Sequence, residues 1–340
     1  MNAEQNMRAL EAGAFSIDAL KIARRPIPKP RRGEILVHLK AASLNYRDLA
    51  ILAQKYMPAL RLPYVPASDA CGEVVEVGED VARFKVGDRV MPIYTQGWHD
   101  GNPTLELRTQ RTLGAPLDGV LQEYIAVPAQ DAVTVPRHLS DGEAATLPIA
   151  ALTAWSTLQE GKVKPGDSVL IQGTGGVALF ALQFAKLAGA KVIALSSSDA
   201  KLERVKQLGA DAMINYRTTP AWETAVKDAT GGRGIDIVVE TAGSTLQQSI
   251  ASLSFGGFIG IVGFVGGYQA EIALRAVIGP MVRMQGIAVG SRARFEAMNR
   301  AIDEHKLKPV VDSTFPLERA AEAFRHLQDG KHFGKIVINL

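Results

Sequence analysis

Residues 173–178 read GTGGVA, a run whose residue types and spacing suit phosphate binding. Gly173, Gly175 and Ala178 form G-x-G-x-x-A, directly after the apolar run SVLIQ and directly before the amphipathic run VALFALQFAKLAG. The first glycine permits a tight turn, the second lets backbone approach a pyrophosphate, and the small third residue keeps helix against strand. Free N–H groups at the helix N-terminus, reinforced by the helix dipole, then face the phosphates. With the strand KVIAL following in register, the stretch is predicted to bind a dinucleotide. The end of that second strand chooses between cofactors. NAD sites place a carboxylate about 20 residues past the first glycine, on the ribose hydroxyls. Here Ser196 stands there (196 − 173 = 23), with Ser197, Ser198 and Lys201 behind it. Hydroxyls and an ammonium bind a 2′-phosphate by charge-assisted hydrogen bonds, whereas a carboxylate repels it. NADPH is therefore expected over NADH. Two other readings stay open: the serines simply cap a helix beginning at Asp199, or Asp199 bends back as the ribose acid and favours NADH.

The elements that must position this turn come from the whole pattern. From about Ala150, strand-like runs (SVLIQ, KVIAL, IDIVVE, FIGIVGF) alternate with helical ones (VALFALQFAKLAG, DAKLERVKQLGA, TLQQSIASL), the βαβ signature of a doubly wound parallel sheet. Residues 1–130 are β-rich instead: ILVHLKAAS, CGEVVEVG, DRVMPIY and EYIAV are Val- and Ile-rich runs separated by Pro, Gly and Asp. KIARRPIPKPRR, residues 21–32, reads as a solvated loop because prolines recur every second or third residue. Two helices, ARFEAMNRAIDEH and LERAAEAFRHLQDG, and a last strand KIVINL close the chain.

Composition narrows the function class. The 340 residues carry 38 Lys+Arg and 35 Asp+Glu, a net charge of +3, with both signs interleaved. That balance argues against a nucleic acid or membrane surface as main partner and for a small-molecule substrate. The length suits two domains. The single Cys71 excludes an intrachain disulfide and fits a reducing compartment. MNAEQNMRALEAGAF reads as a first strand rather than a signal peptide, so a cytoplasmic protein is expected.

GEILVHLKAASLNYRD, PASDACGEVVEVGEDVARFKVGDRV, DGVLQEYIAVPA, LPIAALTAWSTL, the glycine turn and HFGKIVINL follow one another in an order that resembles the medium-chain dehydrogenase/reductase superfamily. The resemblance implies a GroES-like β-rich catalytic domain, residues 1–151 and 297–340, with a Rossmann domain, residues 152–296, inserted and the active site in the cleft. Zinc-dependent members carry a Cys where this chain has Asn45, a Gly-His-Glu motif at Ala67-Ser68-Asp69, and a third ligand near Ile149. The segment between Met91 and Asp118 also lacks the four cysteines of their structural zinc site. Neither zinc is expected, since Zn²⁺ wants thiolate, imidazole or carboxylate donors.

Asn45-Tyr46-Arg47-Asp48 resembles instead the Asn-aromatic-x-Asp motif of the zinc-free quinone oxidoreductase branch. That likeness implies that Ser197, Lys201 and Tyr216 hold the phosphate end of NADPH. It further implies that Thr153, Gly176, Val177, Ala242, Gly243, Gly263, Phe264 and Val265 line the cofactor. Without a Lewis acid, hydrogen-bond donors must stabilise charge developing on the substrate oxygen. Tyr46 is the first candidate, as donor or proton source. Asn45 is the second, and Asp48 reads as a structural hydrogen-bonding group. The expected activity is NADPH-dependent hydride transfer to a quinone, enone or other small carbonyl. The alternatives are an NAD(P)-dependent alcohol or aldehyde dehydrogenase and a non-catalytic cofactor-binding redox sensor or structural protein. Trp98 reads either as pocket wall or as loop packing, and Arg47, Arg108 and Arg111 read first as ordinary exposed arginines and second as candidates for attracting an anionic tail. The apolar strands FIGIVGF and GIAVG would leave an unpaired sheet edge, which invites a homodimer.

Overall fold

In the computed structural model, which describes residues 5–57 and 59–340, the first strand is amphipathic. β1 (Asn6–Ala12) buries Met7, Ala9, Leu10 and Ala12 and turns Arg8 and Glu11 outward. It pairs antiparallel with β2 (Leu20–Pro26), from Asn6↔Pro26 to Ala12↔Leu20. Half of the stretch expected to be a loop is thus a strand. The Arg25 guanidinium bonds Glu11 across the pair and Asp118 beyond it, at 2.5 and 2.6 Å. The strand then stops at the prolines, which cannot donate to a ladder.

β3 (Glu34–Ser43), α1 (Tyr46–Leu52), β4 (Asp69–Val77), β5 (Arg89–Pro92), α2 (Leu105–Gln110), β6 (Tyr124–Pro128), β7 (Ala132–Thr134) and α3 (Asp141–Ala144) complete the N-terminal part. A π-helical turn, Leu147–Ala151, leads into α4 (Leu152–Glu160).

The middle of the chain alternates as expected: β8 (Ser168–Gln172), α5 (Gly176–Leu187), β9 (Lys191–Ser196), α6 (Asp199–Gln207), β10 (Ala212–Asn215), α7 (Trp222–Ala229), β11 (Ile235–Glu240), α8 (Leu246–Ala251), β12 (Leu253–Ile261), α9 (Leu274–Ile278) and β13 (Arg283–Gly286). α10 (Arg292–His305), β14 (Val311–Pro316), α11 (Ala320–Gln328) and β15 (Lys335–Asn339) end the chain.

Two units result, Met1–Leu152 with Ser291–Leu340, and Thr153–Gly290. The first holds a seven-stranded sheet, β14-β15-β3-β4-β5-β7 with β6 on β3, over a core that includes Ile35, Val37, Leu39, Val74, Ile336 and Phe324. The second holds a six-stranded parallel sheet, β10-β9-β8-β11-β12-β13. All five residues of β8 are buried, as a strand covered on both faces requires. Fully burying each Val, Leu or Ile of such a strand contributes about 1.5–3 kcal/mol. The last strand is RMQG rather than the expected GIAVG. It pairs with Phe258–Ile261 up to Gly286↔Ile261, and Val289, in the left-handed region at φ +64°, takes the chain out of extended geometry. No helix among the described residues is long and apolar enough to cross a membrane.

Candidate active site

In the parallel sheet, β8, β9 and β10 run outward one way and β11, β12 and β13 the other, so the order reverses between β8 and β11. Ligands of open α/β sheets bind outside the carboxyl ends at such a switch point. Residues 173–177, 197–201, 216, 242–243 and 263–265 lie just past the carboxyl end of a strand of this sheet, and Ser196 closes β9. Gly173 turns the chain at φ +77°. A Cβ built on Gly173 or Gly175 meets nothing within 4 Å, so the space before α5 is open. Gly175 caps the twelve-residue α5 with no side-chain hydrogen bond, leaving its first N–H groups without a side-chain acceptor, and Ala178 is buried against the sheet. These residues fit a dinucleotide pyrophosphate.

A buried polar network spans the switch point. Glu240, fully buried at the end of β11, accepts from Gln172 Nε2 at 2.8 Å, from Ser249 Oγ, and from the N–H groups of Ala242 and Gly243 at 3.0 and 2.9 Å. Gln172 Oε1 in turn accepts from the Thr241 and Ala242 N–H groups at 3.0 and 3.2 Å. The residue before the glycine turn is thereby tied to the loop after β11. The loops after β11 and β12 also touch: a Cβ on Gly263 would lie 2.9 Å from Thr241 O, and one on Gly243 2.6 Å from Gly267 O. Those two glycines are required by loop packing, whatever else they line. Thr153 lies in α4, where its carbonyl accepts from Thr157 Oγ1 at 2.8 Å.

After β9, Ser196 is buried and accepts from Ser198 N at 3.3 Å, and Ser198 caps α6 by accepting from Lys201 N. Half-buried Ser197 is the serine of the three that neither caps the helix nor lies in the core. Asp199 Oδ1 accepts from Asn215 Nδ2 at 2.7 Å, which engages the carboxylate that would otherwise turn toward a ribose. Tyr216 is exposed, its N–H bonded to Ser196 O at 3.1 Å.

The first unit gathers a second cluster. β3 lies between β15 and β4, with Ser43 opposite both Val337 and Asp69. The chain leaving β3 therefore runs past the first residues of both neighbours, Lys335 and Asp69. Lys335 Nζ donates to Leu44 O at 2.5 Å and to Asn45 Oδ1 at 2.7 Å. Asn45 Nδ2 donates to Asp69 Oδ2 at 2.9 Å, which also accepts from Ile149 N at 3.2 Å. Asn45 is the N-cap of α1, where Asp48 Oδ2 accepts from Asn45 N at 2.8 Å in a capping box. Burial raises the Asp48 carboxyl and pushes Asp69 up to about 7, and burial lowers the Lys335 ammonium against the pull of both carboxylates. Tyr46 opens α1 beside this cluster and is exposed.

Over residues 31–137 the chain matches the family model described as the alcohol dehydrogenase GroES-like domain, and over 176–304 that of the zinc-binding dehydrogenase. A zinc-type alcohol dehydrogenase-like protein of Schizosaccharomyces pombe is 44% identical over 332 residues, covering 95% of this chain and 96% of that one. The chain belongs to the medium-chain dehydrogenase/reductase superfamily. Like its superfamily, it is an NAD(P)-dependent oxidoreductase. A chloroplastic quinone oxidoreductase of Triphysaria versicolor is 31% identical over 98% of both chains. A solved NAD-dependent alcohol dehydrogenase superposes with a TM-score of 0.90 at 36% identity, covering 98% of this chain and 100% of that chain.

The positions at which zinc-dependent medium-chain dehydrogenases hold metal do not fit a zinc donor set here. The Asn45 amide is engaged by Lys335 and Asp69. Ser68 Oγ donates to Leu113 O at 2.8 Å and accepts from Arg47 Nη1 at 2.7 Å, and Ile149 offers a backbone N–H. An ammonium 2.7 Å from Asn45 Oδ1 would also repel any cation placed there. Among the described residues no group of three or more His, Cys, Asp or Glu is placed to hold a metal ion.

The partners of two residues in this medium-chain dehydrogenase choose between the readings left open for them. Arg47 is not held out for an anion: it also donates to Leu113 O and Ala115 O at 3.0 and 3.1 Å and lies over the Tyr94 ring, 5.0 Å from its centroid. It clamps the 113–115 turn onto α1. Trp98 is buried, with Nε1 donating to Gly101 O at 2.9 Å, and so packs its own loop. Sequence reasoning missed Lys335, Gln172 and Glu240 and named Asp69 only as part of the Ala67-Ser68-Asp69 run that stands in place of Gly-His-Glu. The available signals were a lysine opening the apolar strand KIVINL and a carboxylate closing IDIVVE.

Proposed function

We propose that this enzyme reduces a quinone, enone or other small carbonyl with NADPH and without zinc. The observation that carries the reading is the Asn45 amide, held between Lys335 and Asp69 where zinc-dependent relatives have a thiolate. The preference for NADPH is supported by Ser196 at the end of β9 and by the engagement of Asp199 with Asn215. Ser197, Lys201 and Tyr216 would then receive the 2′-phosphate.

When bound, the reduced nicotinamide supplies hydride. The chain's own part is to bind the substrate oxygen and to deliver a proton. Asn45 Nδ2 keeps one hydrogen beyond that given to Asp69, and the Tyr46 phenol is a second donor and the proton source. Asp48 holds the turn that presents both. Reduction of a conjugated double bond needs only such polarisation and one proton, which suits donors without a metal.

Reversible alcohol oxidation is the second reading, favoured by the alcohol dehydrogenase names of the relatives. Turnover with NADPH and a panel of quinones, enones and aldehydes is set against NADP⁺ with alcohols, alongside the dissociation constants of NADPH and NADH. The proposal expects faster turnover in the first arm and tighter NADPH binding; tighter NADH binding with alcohol oxidation dominant would replace it by the second reading.

A homodimer belongs to the same proposal. All four residues of the sheet-edge strand β13 are exposed, beside exposed Phe255, Ile278 and Met281, so a second copy can extend the sheet and cover this apolar rim. Light scattering should give twice the chain mass, and a single-chain mass at micromolar concentration would count against it.

A further inference from the structure

Lys335 is a costly residue to bury. It is 4% exposed, and its two hydrogen-bond acceptors are Leu44 O and Asn45 Oδ1. Taking an ammonium out of water is destabilising unless charges and acceptors around it compensate. The Lys335 ammonium offsets the charge of buried Asp48 and Asp69, but the side chain it touches is the amide of Asn45.

The geometry around Asn45 gives that contact a role. An amide has an accepting oxygen and a donating nitrogen, and its orientation is set by what faces each end. Here an ammonium, which can only donate, faces the oxygen at 2.7 Å, and a carboxylate oxygen faces the nitrogen at 2.9 Å. Turning the amide over would set NH₂ against the ammonium and, with Asp69 ionised, oxygen against carboxylate, repulsions at hydrogen-bond distance. The second hydrogen on Nδ2 is thereby kept as a donor. A cation on the amide oxygen also draws density from the nitrogen and strengthens that N–H as a donor.

We propose that Lys335 is a positioning residue of the catalytic site: it fixes and polarises the Asn45 amide so that Nδ2–H is presented to the substrate oxygen. The inference rests on the reading of Asn45 as a donor to substrate, and the test separates the two.

The experiment is a double-mutant cycle of Lys335→Met and Asn45→Ser on the full chain, reading kcat for enone or quinone reduction and the dissociation constant of NADPH. Serine keeps a helix-capping side chain at position 45. Lys335→Met alone should lower kcat roughly 10- to 100-fold, below the ~10²–10³ cost of deleting a donor outright, with NADPH affinity within about twofold of the parent. In the Asn45→Ser background the same change should cost less than about threefold, because coupled residues are not additive. Equal factors in both backgrounds, or a Lys335→Met single variant with parental kcat, overturn the proposal. An Asn45→Ser enzyme with parental kcat instead overturns the reading of Asn45 on which it rests. Lys335→Gln, which keeps a donor and drops the charge, is carried through the same cycle and read by the same criteria, so that the result does not hang on the folding of one variant.

Discussion

Gly175→Val is expected to give a protein that folds like its parent and no longer binds NADPH. At φ −80°, ψ −179° the backbone is extended and suits any residue, and a Cβ there meets nothing within 4 Å. The expected change in stability is therefore within about 0.5 kcal/mol. The same open space is where a pyrophosphate would lie on the first N–H groups of α5, and an isopropyl group fills it. Affinity should fall by at least ~100-fold, about 2.8 kcal/mol. Gly173→Val makes the contrast. Position 173 has the same open surroundings but φ +77°, so that variant should also lose roughly 1–2 kcal/mol of stability from backbone strain. Fluorescence titration with NADPH beside a denaturant melt reads both quantities. A well-folded Gly175→Val protein with parental affinity would place the dinucleotide elsewhere.

Tyr46→Phe should lower kcat by about 10²- to 10³-fold, the usual cost of one donor to a developing oxyanion. Tyr46 is exposed at the first position of α1, so loss of its hydroxyl should leave the melting temperature within about 1–2 °C of the parent. Cofactor affinity should stay within about twofold of the parent, because losing one hydroxyl leaves every residue assigned to NADPH unchanged. Steady-state kinetics on the variant are sufficient. Unchanged turnover would take Tyr46 out of the mechanism and leave Asn45 as the donor.

The dinucleotide unit was legible because its signals are local. Strand, glycine turn and helix sit within 20 residues of one another, and the apolar runs that read as strands became buried β8, β9, β11 and β12. Where a local signal conflicted with a distant partner, the reading failed. Lys21–Pro26 carries prolines and bases that suggest a loop, yet it pairs with β1 because Arg25 finds Glu11 and Asp118. GIAVG is more apolar than RMQG, yet the chain leaves the sheet at Gly286 through Val289 in the left-handed region.

The polar cluster around Asn45 was only half visible for the same reason. Asn45, Tyr46 and Asp48 share one short motif, while Lys335 is 290 residues from Asn45 along the chain. A lysine at a strand end ordinarily reads as solvated. Only the order β15-β3-β4 brings it and Asp69 to either side of Asn45. Gln172 and Glu240, 68 residues apart, were likewise hidden as ordinary strand-end polar residues.

The most direct test of hydride transfer organised by hydrogen-bond donors is one assay on one preparation: NADPH-dependent reduction of an enone or quinone by protein whose zinc content has been measured, before and after exhaustive chelation. The account predicts well under one zinc per chain and a rate unchanged by the chelator. One zinc per chain, with activity lost on its removal and restored on its return, would contradict it.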